Sequence, residues 1–267
     1  MTHSSNKAAA GQSPSLGQAH IDALEVSVGR LQNLAAPLTE QQLTGPAYPS
    51  EWTVAQVLSH LGSGAVIMQR QLEDTLATQA TPDDFARSVW DAWNAKGPAA
   101  QRDDALTADA ALLSRIKTVS ADERNRFSFA MGPMTFDFGQ FVGLRLNEHA
   151  FHTWDIEVAA DPAATLPDSA AQLVVDSLEL VARFTAKPTG DTTTITVATA
   201  GPERTFTVEL TPSVVSLTSG AADAKPDLRM PAEAFARLVY GRLDAGHTPA
   251  GIEPSTLDTL RRLYPGP

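Results

Sequence analysis

The spacing of the apolar residues changes once along this chain, near Pro188 and Gly190. Before that point apolar residues recur every three or four positions, which predicts helices over residues 21–34, 54–78, 83–95, 99–119, 138–160 and 169–184. After it, apolar and polar residues alternate, which predicts antiparallel strands over residues 192–199, 205–210 and 214–218. A short run at 228–230 precedes two more predicted helices, at 231–243 with proline in the first position and at 255–263. The expected fold class is α+β, a helical bundle followed by a small α+β domain.

These patterns divide the chain into three expected parts. Residues 1–18 are rich in Ser, Ala and Gly and are expected to be a disordered tail. The helical bundle is expected over residues 19–186 and the α+β domain over residues 187–267. Residues 120–137 interrupt the helical pattern, which is typical of a connection between two helices or of a lid over a substrate site.

The composition excludes several classes of function. The 267 residues carry a net charge of −11, from 31 acidic and 20 basic side chains, which disfavours binding to nucleic acids and to anionic membrane surfaces. No apolar stretch is long enough to span a membrane, and the N-terminus lacks the pattern of a signal peptide. We therefore expect a cytoplasmic protein with no nucleic-acid partner and no membrane partner.

Glu148 and His152 are four residues apart in a predicted helix, so both side chains lie on one face. A carboxylate and an imidazole at this spacing can bind one metal ion, although the same spacing is common on solvated helix faces. Apolar residues on nearly all sides of this helix predict that Glu148 is buried and needs a partner. Asp155, one turn after His152, is expected to hold the second imidazole nitrogen of that histidine.

A further histidine, His60, lies in another predicted helix. Thr53 and Gln56 form a Thr-x-x-Gln capping box at its start, and His60 follows two turns later among regularly spaced Val and Leu residues. Taken alone, a histidine in such a pattern is more often a core residue than a ligand. With Glu148 and His152 it makes two imidazoles and one carboxylate, a set that suits a divalent metal with an open coordination position.

Two motifs carry a resemblance to a known family. The Trp-Thr-Val-x-x-Val-Leu-x-His-Leu run that ends at Leu61, and the Glu-x-x-x-His-x-x-Asp run that starts at Glu148, resemble the mycothiol-dependent maleylpyruvate isomerase family, a branch of the DinB-like metalloenzymes. The resemblance implies a DinB-like four-helix bundle and a C-terminal sterol-carrier-like α+β domain. It also implies that His60, Glu148 and His152 bind one divalent metal, usually zinc.

Two arginines are candidates for catalytic roles. The resemblance implies an important arginine from the C-terminal domain near the metal, and Arg242 in Tyr-Gly-Arg is the best match by position. Its alternative role is to complement the dipole at a helix C-terminus. Arg145, three residues before Glu148, is the second candidate, and its alternative is an ordinary ion pair with Glu148. Either arginine could anchor a substrate carboxylate. Trp52 is interpreted as packing at the start of its helix, and Trp90 as an aromatic residue of the core or of an interface.

The resemblance implies an enzyme, a mycothiol-dependent isomerase or transferase. The chain contains no cysteine, so any thiol must come from a cosubstrate, which the resemblance identifies as mycothiol. A metal-bound thiolate would attack an electrophilic small molecule, and the outcome would be isomerisation or S-transfer. Two alternatives stay open: a hydrolase whose metal activates water, and a non-catalytic protein that binds an apolar small molecule. The sequence is compatible with a monomer or a homodimer.

Overall fold

The computed structural model of the protein describes residues 17–220 and 225–266. The α-helices are α1 (Gln18–Ala35), α2 (Glu40–Leu43), α3 (Val54–Leu76), α4 (Phe85–Asn94), α5 (Pro98–Lys117), α6 (Ala121–Arg126), α7 (Phe138–Glu157), α8 (Asp168–Val174), α9 (Leu178–Thr185), α10 (Ala232–Val239) and α11 (Pro254–Leu263). The strands are β1 (Phe129–Met131), β2 (Met134–Phe136), β3 (Thr193–Ala200), β4 (Arg204–Leu210), β5 (Val215–Ser219) and β6 (Leu228–Pro231).

Four long helices, α1, α3, α5 and α7, form a bundle. Helix α1 packs on α5 and α7, and helix α3 packs on the same two helices, so the four enclose a common core. α3 and α7 each begin with a capping box, at Thr53 with Gln56 and at Asp137 with Gln140. These caps fix the start of the two helices that carry the predicted metal ligands.

The C-terminal part is a four-stranded sheet with the order β5-β4-β3-β6. β3, β4 and β5 pair antiparallel, as the alternating pattern predicts, whereas β6 runs parallel to β3. Helix α9 packs against β5, and α10 contacts β3 and β6. Trp154 of the bundle, Val197 of β3 and Phe235 of α10 belong to one continuous apolar core, so the sheet part packs directly on the bundle.

Most predicted elements are present, and several details differ. The predicted helix over residues 169–184 is broken by a 3₁₀ turn at Val175–Ser177 into α8 and α9. The predicted helix over residues 231–243 is shorter, because Pro231 belongs to β6 and Gly241, just past the end of α10, adopts a left-handed φ of 69°. Gln18, placed in the predicted tail, already begins α1, and residues 1–16 lie outside the described part. Helix α2 was not predicted, although Thr39 and Gln42 form its capping box.

Residues 120–137 are more structured than a plain connection. They hold α6, which starts at a Ser120–Glu123 capping box, and a hairpin of β1 and β2 that turns at Gly132. The hairpin contacts α3 through β1 and α7 through β2. None of the helices in the described ranges combines the length and the apolar character needed to cross a membrane.

Candidate metal centre

His60 and the pair Glu148 and His152 lie on two neighbouring helices of the bundle. His60 is on α3, two turns after the Thr53 cap, and α3 packs against α7. Glu148 and His152 are one turn apart on α7, so both face α3 at the same level. The bundle therefore brings His60 next to Glu148, which lies 88 positions later in the sequence, and next to His152.

The three side chains converge on one point. The Glu148 Oε2 atom lies 3.0 Å from His60 Nε2 and 3.6 Å from His152 Nε2. One ligand atom from each residue lies within 4.8 Å of the others. Ligands of a tetrahedral zinc ion with bonds of about 2.0–2.1 Å are about 3.3 Å apart, so these separations fit a single ion after small side-chain adjustments.

The centre is open on one side. The side chains of His60 and Glu148 are 38% and 52% exposed, whereas that of His152 is 13% exposed. The prediction that Glu148 is buried was therefore wrong: the apolar residues of α7 face the rest of the core, and this carboxylate points to the open side. A reacting molecule can reach the centre from solvent.

Hydrogen bonds among the three residues set their charge states. Although the Glu148 side chain is half exposed, the protein atoms packed around its carboxyl remove part of its hydration, which by itself would raise the pKa. Hydrogen bonds with His152 and His60 outweigh this effect and hold the pKa of Glu148 well below the usual range for a carboxyl. Burial would lower the pKa of His152, and its hydrogen bonds to Asp155 and Glu148 raise it instead. The centre is therefore an anionic carboxylate between two imidazoles, a set of groups to which a cation is attracted.

Asp155 lies beneath His152 and is completely buried. Its Oδ2 atom is 2.8 Å from His152 Nδ1. Arg242 donates to the same carboxylate twice, from Nε to Oδ1 and from Nη2 to Oδ2, both at 2.8 Å. Burial would raise the pKa of Asp155, but these partners lower it, so the group stays ionised. An ionised Asp155 accepts from Nδ1 and leaves the Nε2 lone pair of His152 pointing at the centre.

Arg242 is not part of the centre itself. It is connected to the centre through its hydrogen bonds to Asp155, which in turn contacts His152. Its Nη1 atom donates to the backbone oxygen of Tyr240 at 3.0 Å, and the side chain is 9% exposed. Because its other donors bind Asp155, the guanidinium is held in place from two sides. The C-terminal part thus contributes to the candidate centre through Asp155.

Arg145 has neither of the two roles considered for it, which were to anchor a substrate carboxylate and to pair with Glu148. It is 4% exposed and forms a buried ion pair with Asp109 of α5, while Nη2 also donates to the backbone oxygen of Leu61 at 2.9 Å. Neither a pairing with Glu148 nor a contact with the two histidines of the centre is present among the described residues. Its charge is already matched by Asp109.

The aromatic cover of the centre was missed at the level of the sequence. The ring of Trp52 lies parallel to that of His152, with centroids 6.3 Å apart, and meets His60 edge-on at 5.5 Å. Trp52 was interpreted as a packing residue, and its position just before the Thr53 cap was the available signal. A cavity of about 400 Å³ opens beside His60 and Trp52, between α3 and α4.

Comparisons with known proteins agree with this architecture. No curated protein matches the chain in sequence. A crystal structure of the mycothiol-dependent maleylpyruvate isomerase is similar, with a TM-score of 0.61 and 12% identity over 87% of this chain and 90% of that one. The structure of a histidine-to-alanine mutant of such an isomerase gives a TM-score of 0.60 and 12% identity over 84% and 88%. At this identity the likeness establishes the fold.

The family itself is established by sequence. The model of the mycothiol maleylpyruvate isomerase N-terminal domain matches residues 24–157, half of the 267-residue chain. The matched segment contains His60, Glu148, His152 and Asp155 but ends before Arg242. This chain therefore belongs to the mycothiol maleylpyruvate isomerase family.

Proposed function

We propose that the protein is a metal-dependent isomerase or S-transferase that uses mycothiol, with His60, Glu148 and His152 as the metal ligands. Membership of the family makes it an isomerase-type enzyme. The observation that carries the metal assignment is the convergence of three ligand atoms within 4.8 Å, with one side open to solvent.

The chemistry of the three residues suits a catalytic metal. A divalent metal held there, zinc in our proposal, acts as a Lewis acid that lowers the pKa of a coordinated thiol. Because the chain has no cysteine, that thiol must belong to a cosubstrate. A structural zinc normally has four protein ligands, whereas only three candidate ligands converge among the described residues. This difference favours catalysis over a purely structural metal.

The surrounding residues hold the ligands in the required form. By accepting from Nδ1, Asp155 selects the tautomer of neutral His152 whose Nε2 lone pair can bind a metal, and Arg242 keeps Asp155 ionised. The Trp52 ring lies parallel to that of His152 and flanks the centre on that side. The electrophile and the thiol would meet at the exposed side, next to His60 and Glu148, in the cytoplasm.

The dependence of turnover on thiol tests this proposal. Metal-loaded protein should convert an electrophile such as maleylpyruvate only when mycothiol is present, and the His152→Ala variant should lose this activity. The His247→Ala variant is the matched control, because His247 also pairs with an aspartate, Asp244, but lies outside the cluster. Turnover without any thiol would contradict the proposal and indicate a hydrolase that activates water.

A further inference from the structure

The cavity beside His60 has a composition that indicates what it binds. It has a volume of about 400 Å³, within the range of small-molecule sites. Its lining residues come from the start of α3, from α4 and from the start of α5: Trp52, Gln56, His60, Ser63, Trp90, Asn94 and Gln101. Because His60 is a proposed metal ligand, a molecule in this cavity lies next to the metal centre.

Two indole rings offer flat apolar surface to the cavity. Trp90 is 50% exposed and Trp52 is 37% exposed, which is unusual for such large apolar side chains. Neither indole N–H has a hydrogen-bond partner in the described part of the chain. An exposed ring face with a free N–H at its edge suits a ligand that has both C–H surface and hydroxyl groups.

Three of the polar groups that line the cavity are neutral amides, those of Gln56, Asn94 and Gln101, and the other two are the Ser63 hydroxyl and the His60 imidazole. The Asn94 side chain is exposed and makes no hydrogen bond to another described residue. Gln56 uses its Oε1 atom to accept from the Thr53 backbone, which leaves its amide N–H groups available. Each free amide can donate to a hydroxyl oxygen, and that of Asn94 can also accept. The cavity therefore offers several uncharged donors and acceptors.

Positive charge is absent from the lining among the described residues. Arg242 and Arg145, the two arginines predicted near the metal, are bound to Asp155 and Asp109. Lys96 lies over the ring of Trp93, 3.4 Å from its centroid, and pairs with Asp104. Arg87, exposed on α4 one turn before Trp90, does not line the cavity. Apart from the metal that we propose beside His60, a carboxylate would find no counter-charge in this lining and would lose hydration.

We propose that this cavity binds the uncharged, hydroxyl-rich part of the thiol cosubstrate, stacked on Trp90 and hydrogen-bonded to Asn94. Mycothiol, which carries its thiol on a sugar–cyclitol scaffold, has this chemistry, whereas maleylpyruvate is a dicarboxylate. The inference rests on the proposed function, since it assumes that the thiol reaches the centre beside His60. It adds where the non-reacting part of the thiol lies and which residues select it.

Calorimetric titration of the metal-loaded full chain tests this assignment without requiring turnover. The probes are mycothiol and N-acetylcysteine, which has a thiol but no sugar. The Trp90→Ala and Asn94→Ala variants should each bind mycothiol about three- to tenfold more weakly than wild type. Their affinity for N-acetylcysteine should be unchanged, and Trp90→Phe should recover most of the mycothiol affinity.

Two control variants separate stacking from other effects. Phe184→Ala removes an aromatic ring that is 70% exposed on α9, and Arg87→Ala removes the nearest exposed cation of α4. Both should bind mycothiol as wild type does. Weakening in Arg87→Ala with none in Trp90→Ala would show that charge is recognised, and it would overturn the inference.

The remaining outcomes distinguish this inference from the proposed function. Equal loss of affinity for mycothiol and N-acetylcysteine in Trp90→Ala would place only the thiol end at this cavity and would overturn the inference. Normal mycothiol affinity in Trp90→Ala, with thiol-dependent turnover intact, would overturn the inference and leave the proposed function standing. Absence of thiol-dependent turnover in wild type, with mycothiol still bound through Trp90, would support the inference and contradict the proposed function.

Discussion

Arg242 donates two parallel hydrogen bonds to Asp155, and both are 2.8 Å long. Asp155 is on α7 and Arg242 follows α10, so this pair joins the C-terminal part of the chain to the helix that carries two proposed ligands. Since the Oδ2 atom of Asp155 also contacts His152, the orientation of this proposed ligand depends on Arg242, which lies 87 positions after Asp155 in the chain. Bidentate pairing of this kind fixes geometry as well as charge.

Replacing Asp155 by asparagine should weaken metal binding about 10- to 100-fold, because the amide no longer fixes the tautomer and orientation of His152. Competition with a chelator of known affinity measures the change. The matched control is Asp244→Asn, which alters another carboxylate paired with a histidine, His247, outside the cluster. An unchanged metal affinity in Asp155→Asn would show that this carboxylate does not support the ligand.

Arg242→Lys should lower both stability and metal affinity, because a lysine cannot make the paired hydrogen bonds to Asp155. Arg237→Lys is the control, since Arg237 is equally buried and makes a bidentate pair with Glu233 away from the proposed ligands. Thermal unfolding should be affected in both variants, and chelator competition only in Arg242→Lys. If the KM for the electrophile rises while metal affinity is unchanged, Arg242 anchors substrate, as the family resemblance suggests, and does not position Asp155.

Asp109→Asn should cost about 3–5 kcal/mol at pH 7, because it leaves the buried Arg145 without a counter-charge. Burial would raise the pKa of the Asp109 carboxyl, but Arg145 outweighs it and holds the pKa below the usual value. The Asp109 carboxyl therefore binds a proton more readily in the unfolded chain than in the folded one. Its contribution to the free energy of unfolding is present above about pH 4 and is lost as the pH falls further.

Denaturant titrations of wild type and Asp109→Asn at a series of pH values measure this effect. The difference in unfolding free energy should be largest at pH 7 and should shrink as the pH falls towards and below 4. Asp104→Asn, at an exposed position on the same helix, should change little at any pH. A difference between wild type and Asp109→Asn that stays constant with pH would contradict this account of the buried pair.

Gly62→Ala and Gly29→Ala should have opposite effects. A Cβ at Gly62 would overlap the Trp93 ring and would lie 2.7 Å from the Cα of Ala105, so α5 must move and stability should fall by about 1–3 kcal/mol. A Cβ at Gly29 meets nothing within 4 Å, and alanine there should stabilise α1 by about 0.5–1 kcal/mol. Thermal unfolding measures both, and a stabilised Gly62→Ala would contradict the close packing of α3 on α5.

Local signals in the sequence predicted what lies within one helix. The Thr53–Gln56 box placed the start of α3 at Val54, and the spacing of Glu148 and His152 placed both on one face of α7. The position of Asp155 one turn later predicted its contact with the second nitrogen of His152, and the structure has that contact. Each of these relationships spans one or two helical turns, the range over which sequence spacing fixes geometry.

Contacts between segments that are far apart in the chain could not be predicted from the sequence. Arg145 could be placed on α7, but its partner Asp109 lies 36 residues earlier on α5, and no spacing connects the two. The exposure of Glu148 depends on which side of α7 its neighbours leave open. The bond from Arg242 to Asp155 likewise depends on how the sheet part packs on the bundle, which periodicity does not encode.

The metal content of single-ligand variants tests the central claim most directly. Wild-type protein, dialysed against zinc and then against metal-free buffer, should retain about one metal per chain by elemental mass spectrometry, whereas His60→Ala, Glu148→Ala and His152→Ala should each retain far less. Circular dichroism should show that the three variants keep their helices, and His247→Ala should retain metal as wild type does. Metal retained in full by all three variants, or lacking in the wild type, would contradict the assignment of His60, Glu148 and His152 as a metal centre.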